Sequence, residues 1–322
     1  MRIWRLKDLG EPVEQLELVE EDTPPCDPGE VTVRVEAVGL AFPDVLRCRG
    51  KYQVRTPPRY NPGGETCGVL EEIGAGVEGL SVGQRVVFLG GGLAETVVMP
   101  YTNVIPVPDG VGAATAAALP VNYGTTWFAL HQRAALQPGE WLLVTGAGGG
   151  TGTAAIELGR AAGARVIAVA GGPTKVQICR DLGASVVIDH NEDPDWVDLV
   201  REATDGGVDV AYDPVGGETF HQVRRCMAWD GRLLVIGFVA GIPQAPTNHV
   251  LLKNYSIVGV HWGASVARRP ESVREQVGSV LDLVAAGSVD PPLYPPYPFD
   301  QAAQALQDLA DRKTWGKAVV TL

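Results

Sequence analysis

The stretch Leu142–Gly152, which reads LLVTGAGGGTG, passes from an apolar run directly into a glycine-rich turn. A helical pattern follows from Thr153 through Ala162, and a second apolar run follows from Ala164 to Ala170. A strand, a glycine turn, a helix and a second strand in this order make one βαβ unit. We therefore predict an α/β fold built outward from this unit.

The glycine turn has the spacing Ala147-x-Gly149-x-x-Gly152, with alanine at the position of the first glycine of dinucleotide-binding turns. One glycine permits the tight turn, one lets backbone N–H groups approach a pyrophosphate, and one lets the helix pack close to the strand. The helix N-terminus then offers unpaired N–H donors and the positive end of its dipole. The residues predicted to bind a dinucleotide are Ala147, Gly148, Gly149, Gly150, Thr151 and Gly152.

Strands and helices alternate from residue 141 to about 260. Candidate strands lie at 141–145, 165–170, 185–189, 208–213, 232–237 and 255–260. Candidate helices lie at 151–162, 174–182, 194–203 and 217–228. Six strands joined by helical crossovers predict a doubly wound parallel sheet, the Rossmann arrangement, in a domain over residues 121–261.

The residues before this domain read as β-rich. Apolar and polar residues alternate at Val31–Val38, and similar short patterns recur at Val69–Ile73 and Arg85–Leu89. After Gly263 the chain has two helical stretches and a final strand at 315–322, too little for a separate domain. We therefore predict that residues 262–322 return to complete a β-rich domain of residues 1–120.

The composition excludes several classes of function. The chain has 322 residues, of which 45% are hydrophobic, and a formal net charge of −12. Nucleic-acid binding needs clustered cations, so an acidic chain is not expected to bind nucleic acid. The five cysteines form no CxxC pair, and no segment has the 18 apolar residues of a membrane span. We expect a cytoplasmic protein with reduced thiols and no membrane association.

Several motifs occur in a characteristic order along almost the whole chain. They are Gly39–Asp44, Arg49–Tyr52, Pro62–Val69, Leu119–Thr125, the glycine turn, Asp213–Gly217, Gly231–Gly237 and Thr314–Lys317. This order resembles the medium-chain dehydrogenase/reductase superfamily, in particular its zinc-free NADPH:quinone oxidoreductase (zeta-crystallin-like) branch. The resemblance implies that the β-rich domain is a GroES-like catalytic domain. Ala41 is a departure, because relatives carry asparagine there.

The sequence lacks the zinc ligands of the superfamily's alcohol dehydrogenases. Gly64 stands where the zinc branch has a histidine, the segment Ala41–Asp44 has no cysteine, and residues 90–104 have none either. A zinc site needs three or four nitrogen, sulfur or oxygen ligands, so we predict no catalytic metal. Without a Lewis acid, alcohol oxidation is difficult, whereas hydride addition to a quinone or an enone needs less help.

The choice of nicotinamide cofactor follows from the end of the second strand. NAD-specific sites usually place a carboxylate there, but this chain has Ala170 followed by two glycines. A carboxylate would repel a 2′-phosphate, and its absence permits one. The resemblance implies that Lys175, His190 and Arg312 lie near this phosphate, although an ordinary solvated lysine and an exposed loop histidine are the alternatives. We predict NADPH as the cofactor.

The resemblance also implies roles near the nicotinamide. Tyr52 would lie over the nicotinamide or the substrate carbonyl, and Thr125 would bond the nicotinamide amide. The alternatives are a boundary aromatic for Tyr52 and a helix cap for Thr125. Gly237 and Phe238 follow a strand at the carboxyl edge of the sheet, where ligands bind, unless Phe238 packs in the core. We expect Asn122 and Tyr123 to line the same cleft, and Trp262, Leu293 and Tyr294 to line the acceptor pocket.

These features predict an NADPH-dependent, zinc-independent reductase that transfers hydride to a quinone. An enone, alkenal or enoyl double-bond reductase of the same branch is the first alternative, and a non-catalytic NADPH-binding protein is the second. The apolar run Ser256–Val260 has no proline and no charge, so it lacks the protection of an exposed sheet edge. We expect Ile257–Val260 to pair with a second copy as a homodimer, unless the chain's own tail covers this strand.

Overall fold

The computed structural model describes residues 1–57 and 59–322, which form two compact units. The first unit contains Met1–Asn122, Val277–Gly287 and Leu293–Leu322, and the second contains Tyr123–Gln276 and Ser288–Pro292. The chain therefore first returns to the β-rich unit at Val277 rather than at residue 262, and a short segment near residue 290 stays with the second unit.

The strands, in chain order, are β1 (Arg2–Leu6), β2 (Leu16–Glu20), β3 (Glu30–Gly39), β4 (Glu65–Ile73), β5 (Arg85–Leu89), β6 (Thr96–Pro100), β7 (Ile105–Pro106), β8 (Trp141–Thr145), β9 (Arg165–Ala170), β10 (Val186–Asp189), β11 (Val208–Asp213), β12 (Met227–Val235), β13 (Ser256–Gly259), β14 (Tyr297–Pro298) and β15 (Val319–Thr321).

The α-helices are α1 (Pro12–Gln15), α2 (Phe42–Cys48), α3 (Ala113–Ala117), α4 (Asn122–Trp127), α5 (Gly150–Ala161), α6 (Pro173–Asp181), α7 (Val197–Thr204), α8 (Gly217–Cys226), α9 (Thr247–Lys253), α10 (Trp262–Arg268), α11 (Ser272–Ala285) and α12 (Ala302–Ala310). A π-helical segment follows α4 at Phe128–Arg133, and 3₁₀ turns lie at Tyr101–Asn103 and Phe299–Gln301. Within the described residues, none of these helices has the length and apolarity to cross a membrane.

The second unit is built on a six-stranded parallel sheet with the order β10-β9-β8-β11-β12-β13. Leu143 in β8 lies opposite Ile167 in β9 and Ala211 in β11, and all three side chains are buried. The chain moves outward from β8 in one direction and then resumes on its other side at β11, so the glycine turn after β8 lies at the switch point of the sheet. The predicted doubly wound sheet is confirmed.

Two element boundaries in this unit differ from the predictions. The predicted helix at 217–228 ends at Cys226, and β12 begins at Met227 instead of residue 232. Met227 pairs with Val208, and a register shift follows before Val210 pairs with Arg232. The Asp230-Gly231 pair reads as a turn in the sequence, but pairing with β11 keeps this segment in the sheet as a bulge.

The first unit contains a seven-stranded sheet in which the long β3 is the central strand. β3 pairs antiparallel with β4, β6 and β15, and β4 continues through β5 to β7. Val319 of the C-terminal strand lies opposite Gly39, so the end of the chain completes this sheet. The separate β1–β2 ladder packs Trp4, Leu6 and Leu16 into a core shared with α12.

Candidate active site

The glycine turn joins the end of β8 to the first turn of α5. Gly149 is the N-cap of this 12-residue helix, and no side chain within the described residues caps it. The first-turn N–H groups and the positive end of the helix dipole therefore face the turn. Backbone donors in this arrangement are suited to phosphate groups.

Two glycines of the turn differ in what surrounds them. A Cβ at Gly152 would lie 2.6 Å from the Cα of Ala147 and would also collide with the carbonyl oxygen of Gly146, so this glycine lets α5 pack against the turn. A Cβ at Gly149 would meet only the carbonyl oxygen of Gly146, at 3.4 Å. The space above Gly149 is therefore open to a ligand.

Buried polar side chains support the turn from within the second unit. The Tyr212 hydroxyl lies 2.9 Å from the Thr126 hydroxyl and also shares a hydrogen bond with the Thr151 side chain. The Thr145 hydroxyl donates to Asp213 at 2.7 Å, and burial raises the pKa of that carboxyl. No sequence pattern predicts these roles of Thr126 and Tyr212, because each is a single polar residue in an apolar run.

The predicted phosphate contacts of the second unit lie at the carboxyl ends of β9 and β10. Lys175 is in the first turn of α6. A Cβ added at Gly148 would lie 2.5 Å from the Cβ of Lys175, so this side chain passes close to the glycine turn. The imidazole of His190 lies beside Gly171, 2.7 Å from the position of a Cβ there. The structure therefore brings Lys175, His190 and the glycine turn together around the segment after Ala170.

The carboxylate of Asp189 lies in this area, but it is already hydrogen-bonded to the backbone. Asp189 accepts hydrogen bonds from the N–H groups of Gly172 and Asn191, each at 3.0 Å. These hydrogen bonds lower the pKa of Asp189. The side chain fixes the turn between β9 and α6, which is the turn that precedes Lys175.

The remaining predicted cofactor residues lie in two places. Gly237 and Phe238 follow β12 at the carboxyl edge of the sheet, and Phe238 is 40% exposed, so the core-packing alternative is wrong. Arg312 belongs to the first unit, in the turn after α12, where it has a φ of +61°. Arg312 and the pair Lys175 and His190 are thus parts of different units, and the contact of Arg312 with the cofactor stays a prediction.

The start of α4 excludes the alternative interpretation of Thr125 and the expected position of Tyr123. Thr125 lies inside α4 rather than at its first residue, so it is not the helix cap, and its side chain is half-buried. Tyr123 lines no cleft, because it is buried and its hydroxyl donates a hydrogen bond to Glu157 of α5. Glu157 also accepts the N–H of Asp290 at 2.6 Å, which anchors the short segment near residue 290 to the second unit.

Trp262 is predicted to line the acceptor pocket, but its side chain is buried inside the second unit. Its indole N–H donates to the Gln276 side chain at 2.6 Å, and only 5% of the residue is exposed. Its ring lies against Gly124, where an added Cβ would be 2.7 Å away. The close approach of this ring explains why a glycine is needed at that point of α4.

In the first unit, Tyr52 belongs to a group of aromatic and cationic side chains. The guanidinium of Arg47 lies 4.7 Å from the centre of the Tyr52 ring and 5.4 Å from the centre of the Tyr60 ring. The Tyr60 hydroxyl donates to Asp44 at 3.2 Å. Tyr52 is half-buried and rests on this group, which is compatible with a boundary aromatic, and its role near the nicotinamide stays a prediction.

Asp44 is a structural residue. It is buried and accepts the N–H groups of Ala41 at 3.0 Å and of Gly63 at 3.1 Å. Burial raises the pKa of this carboxyl, while its hydrogen bonds act in the opposite direction. Asp44 therefore holds the start of α2 against the segment that leads into β4.

Glu65, which follows Gly64 at the start of β4, is paired with Lys317 from the C-terminal part of the first unit. The Lys317 ammonium donates to Glu65, and the Val121 N–H donates to the same carboxyl group at 2.8 Å. Within residues 1–57 and 59–322, no group of three or more His, Cys, Asp or Glu side chains is arranged to hold a metal ion. Burial raises the pKa of the nearby Cys48 and Cys67 thiols to about 12, so both stay protonated.

A doubly wound nucleotide-binding sheet and a β-rich unit completed by the C-terminus define a two-domain dehydrogenase/reductase. A family model described as the alcohol dehydrogenase GroES-like domain matches residues 27–109, and one described as zinc-binding dehydrogenase matches residues 150–284. A quinone oxidoreductase-like protein 2 homolog from Nematostella vectensis is 38% identical over 323 residues, which cover 97% of this chain and 87% of that protein. The chain belongs to the quinone oxidoreductase family of the medium-chain dehydrogenase/reductase superfamily.

Solved structures agree with this assignment. A probable oxidoreductase from Mycobacterium abscessus is 37% identical, with a TM-score of 0.89 and coverage of 100% of this chain and 99% of that one. The quinone oxidoreductase from Thermus thermophilus, solved also in complex with NADPH, is 36% identical, with a TM-score of 0.84 over all of both chains. The protein is thus an oxidoreductase of this superfamily.

Proposed function

We propose that the protein is a zinc-independent, NADPH-dependent reductase that transfers hydride to a quinone. The observation that carries the proposal is the carboxyl end of β9, where Ala170 is followed by glycines and the Lys175 stem lies against Gly148. Residues 170–172 supply no side-chain carboxylate to repel a 2′-phosphate, the nearby Asp189 carboxylate already accepts two backbone N–H groups, and Lys175 places a cation beside the glycine turn. The Thermus relative's complex with NADPH supports the same cofactor.

The residues present fit this cofactor. The N–H groups at the start of α5 would hold the pyrophosphate above Gly149, where the structure leaves space, and Lys175 and His190 would hold the 2′-phosphate. When bound, the reduced nicotinamide supplies the hydride. We assign the nicotinamide carboxamide to Thr125 and an acceptor oxygen to the Tyr52 hydroxyl, which can donate a hydrogen bond as negative charge develops there.

Zinc does not fit the residues of this chain. Gly64 provides no ligand, and Glu65 already has Lys317 and the Val121 N–H as partners. Zinc at one equivalent per chain, or activity lost to a chelator and restored by zinc, would contradict this part of the proposal.

Turnover of NADPH with a panel of acceptors tests the function. We expect NADPH oxidation with benzoquinones. Faster turnover of alkenals or enoyl thioesters would favour the alternative of double-bond reduction, because acceptor pockets of this kind depend on variable apolar loops. Tight NADPH binding without turnover of any acceptor would favour the alternative of a non-catalytic binding protein.

We also propose a homodimer through β13. This strand is at the edge of the second unit's sheet and pairs only with β12 within the described chain. Ser256, Ile257 and Gly259 are exposed, although the Gly259 carbonyl accepts a hydrogen bond from Arg133 at 3.1 Å. Pairing with β13 of a second copy would satisfy the free backbone groups in a self-complementary interface.

A further inference from the structure

Positive charge is concentrated in one part of the first unit. Between Asp44 and Glu65 the chain has no carboxylate side chain but has five cations, although the whole protein has a net charge of −12. We call residues 47–59 the cationic segment; its members are Arg47, Arg49, Lys51, Arg55 and Arg59. Tyr52, to which we assign the acceptor oxygen, lies within this segment.

Two of these cations serve the fold. Arg49 donates to both carboxylate oxygens of Glu11, at 2.8 and 2.7 Å. Arg59 donates to Glu21 at 2.9 Å, and Glu21 also accepts two hydrogen bonds from Arg5. The hydrogen bonds from Arg5 and Arg59 lower the pKa of Glu21 to about 2. The charges of Arg49 and Arg59 are therefore compensated within the protein.

Arg47 is different, because aromatic rings rather than carboxylates hold it. Its guanidinium contacts the rings of Tyr52 and Tyr60, and Tyr60 is itself fixed by its hydrogen bond to Asp44. Stacking on rings uses the faces of a guanidinium and leaves its N–H donors directed outward in the plane. Within the part of the chain that the structure describes, these donors have no acceptor.

Lys51 and Arg55 add charge on either side of Tyr52. Both side chains are exposed, and neither makes an ion pair with any described residue. Exposed cations are common on proteins, so these two do not define a site by themselves. They do raise the local potential beside the fixed guanidinium of Arg47, in a protein whose overall charge repels anions.

We propose that the acceptor carries an anionic group, a carboxylate or a phosphate, which the in-plane N–H donors of Arg47 bind while Lys51 and Arg55 attract it. This inference rests on the proposed function and names its substrate class. The fork of an arginine matches both groups, and the pre-positioned guanidinium loses little entropy on binding. The anionic group does not react: hydride from NADPH adds to the electrophilic carbon, a proton from water completes the reduction, and NADP⁺ is released.

A matched pair of acceptors tests this proposal. Trans-4-oxo-2-pentenoate and its methyl ester share the same enone skeleton, but only the acid carries a charge, and the ester also makes the conjugated alkene more electrophilic. The test is therefore the change in the acid-to-ester ratio of kcat/KM between the wild type and the variants, measured at low salt. Arg47→Met should lower the acid-to-ester ratio roughly tenfold to a hundredfold, the usual effect of a charge-assisted hydrogen bond. The ratio corrects for any change in the orientation of Tyr52, since that change affects both acceptors.

Further variants separate the fixed guanidinium from general attraction. Lys51→Gln combined with Arg55→Gln should lower the ratio about threefold to tenfold, and this effect should disappear at high ionic strength. Lys7→Gln removes an exposed positive charge from the same unit outside the cationic segment and should leave the ratio unchanged. Inorganic phosphate and acetate can also be compared as competitors of the acceptor at saturating NADPH. Stronger competition by phosphate would indicate an acceptor with a phosphate group, and stronger competition by acetate would indicate an acceptor with a carboxylate.

The outcomes distinguish this proposal from the proposed function. The ester could be turned over, and Arg47→Met could leave the acid-to-ester ratio of kcat/KM unchanged. This result would overturn the proposal of an anionic acceptor but would still support a reductase. If neither compound is reduced, calorimetry with the saturated products decides. Binding of 4-oxopentanoate but not of its methyl ester, lost in Arg47→Met, supports the anion site without catalysis. Equal binding of both, or of neither, overturns it.

Discussion

Lys317 donates a hydrogen bond to Glu65, and both side chains are almost completely removed from solvent, with exposures of 2% and 0%. The two residues are 252 positions apart in the sequence. Glu65 begins β4 and Lys317 leads into β15, so the pair ties the C-terminal return to the middle of the first unit. A buried pair of this kind is costly to break, because the remaining partner keeps an uncompensated charge.

We predict that Glu65→Gln and Lys317→Met each lower the free energy of unfolding by about 3–5 kcal/mol. The combination of Glu65→Leu with Lys317→Met should be less damaging than the two single changes added together, because no charge is then left buried. Urea denaturation measures all three. Arg2→Met breaks exposed pairs with Glu95 and Asp300 and should lower the free energy of unfolding much less than either buried change. Single variants that cost no more than this control would contradict a structural role for the pair.

Lys175→Ala should weaken NADPH binding much more than NADH binding. A charge-assisted contact with the 2′-phosphate predicts a loss of roughly tenfold to a hundredfold for NADPH. Titration of cofactor fluorescence gives both dissociation constants. Arg180→Ala, at the exposed end of the same helix, is the matched control and should change neither. Equal losses for the two cofactors in Lys175→Ala would show that this lysine does not read the phosphate.

Gly149→Val and Gly152→Ala should fail in different ways. The space above Gly149 is open in the protein alone, so the valine variant should fold with near-normal stability and lose NADPH binding, since its side chain fills the place of the pyrophosphate. Gly152→Ala puts a Cβ against the backbone of Ala147 and should lower the melting temperature even without ligand. A folded Gly149→Val that retains NADPH affinity would mean that the phosphates bind elsewhere.

Glu157 predicts a pH dependence of stability. Burial raises the pKa of this carboxyl above the usual value, so the folded protein holds the proton more tightly than the unfolded chain. The associated stability is fully present below the unfolded pKa and is lost as pH rises through the folded pKa. Glu157→Gln is neutral at every pH, so its stability relative to the wild type should improve as pH rises. Denaturation midpoints of both proteins, measured between acidic and mildly alkaline pH, check this.

Tyr123→Phe provides the second variant for that experiment. The Tyr123 hydroxyl stabilises the ionised carboxylate by donating to it, and this hydrogen bond lowers the pKa of Glu157 against the effect of burial. Its removal should raise the pKa further, and the loss of stability with rising pH should become steeper. A pH dependence identical in the wild type, Glu157→Gln and Tyr123→Phe would assign the effect to other groups.

Ile257→Pro should convert the proposed dimer to a monomer and leave NADPH binding in place. The Val260 N–H donates to Val235 of β12, and N–H groups alternate between the two sides of a strand, so the Ile257 N–H faces the free edge and proline removes it from there. The glycine turn follows β8, and β11 and β12 lie between β8 and β13 in the sheet. Light scattering at micromolar concentration measures the mass. Val258→Lys places a positive charge on the same strand without removing a backbone donor, and it should also weaken the dimer. A wild-type protein that is a monomer at this concentration would refute the pairing outright.

Most of the second unit could be predicted from its sequence, because the evidence for it is local. A buried parallel strand is an apolar run of a few residues, and each of the six runs from 141 to 260 overlaps a strand of the observed sheet. The turn at Ala147–Gly152 is local as well, since the tight turn, the close packing of Gly152 and the free helix end all depend on neighbours in sequence.

The tertiary structure alone decided which buried polar groups meet. The Lys317–Glu65 and Tyr123–Glu157 pairs and the position of Arg47 between two tyrosine rings join residues from separate elements. A hydrophobic pattern reports which face of an element is buried, but not which residue of a distant element will lie opposite. A buried charge must find its partner in that residue, so its role follows from the assembled fold.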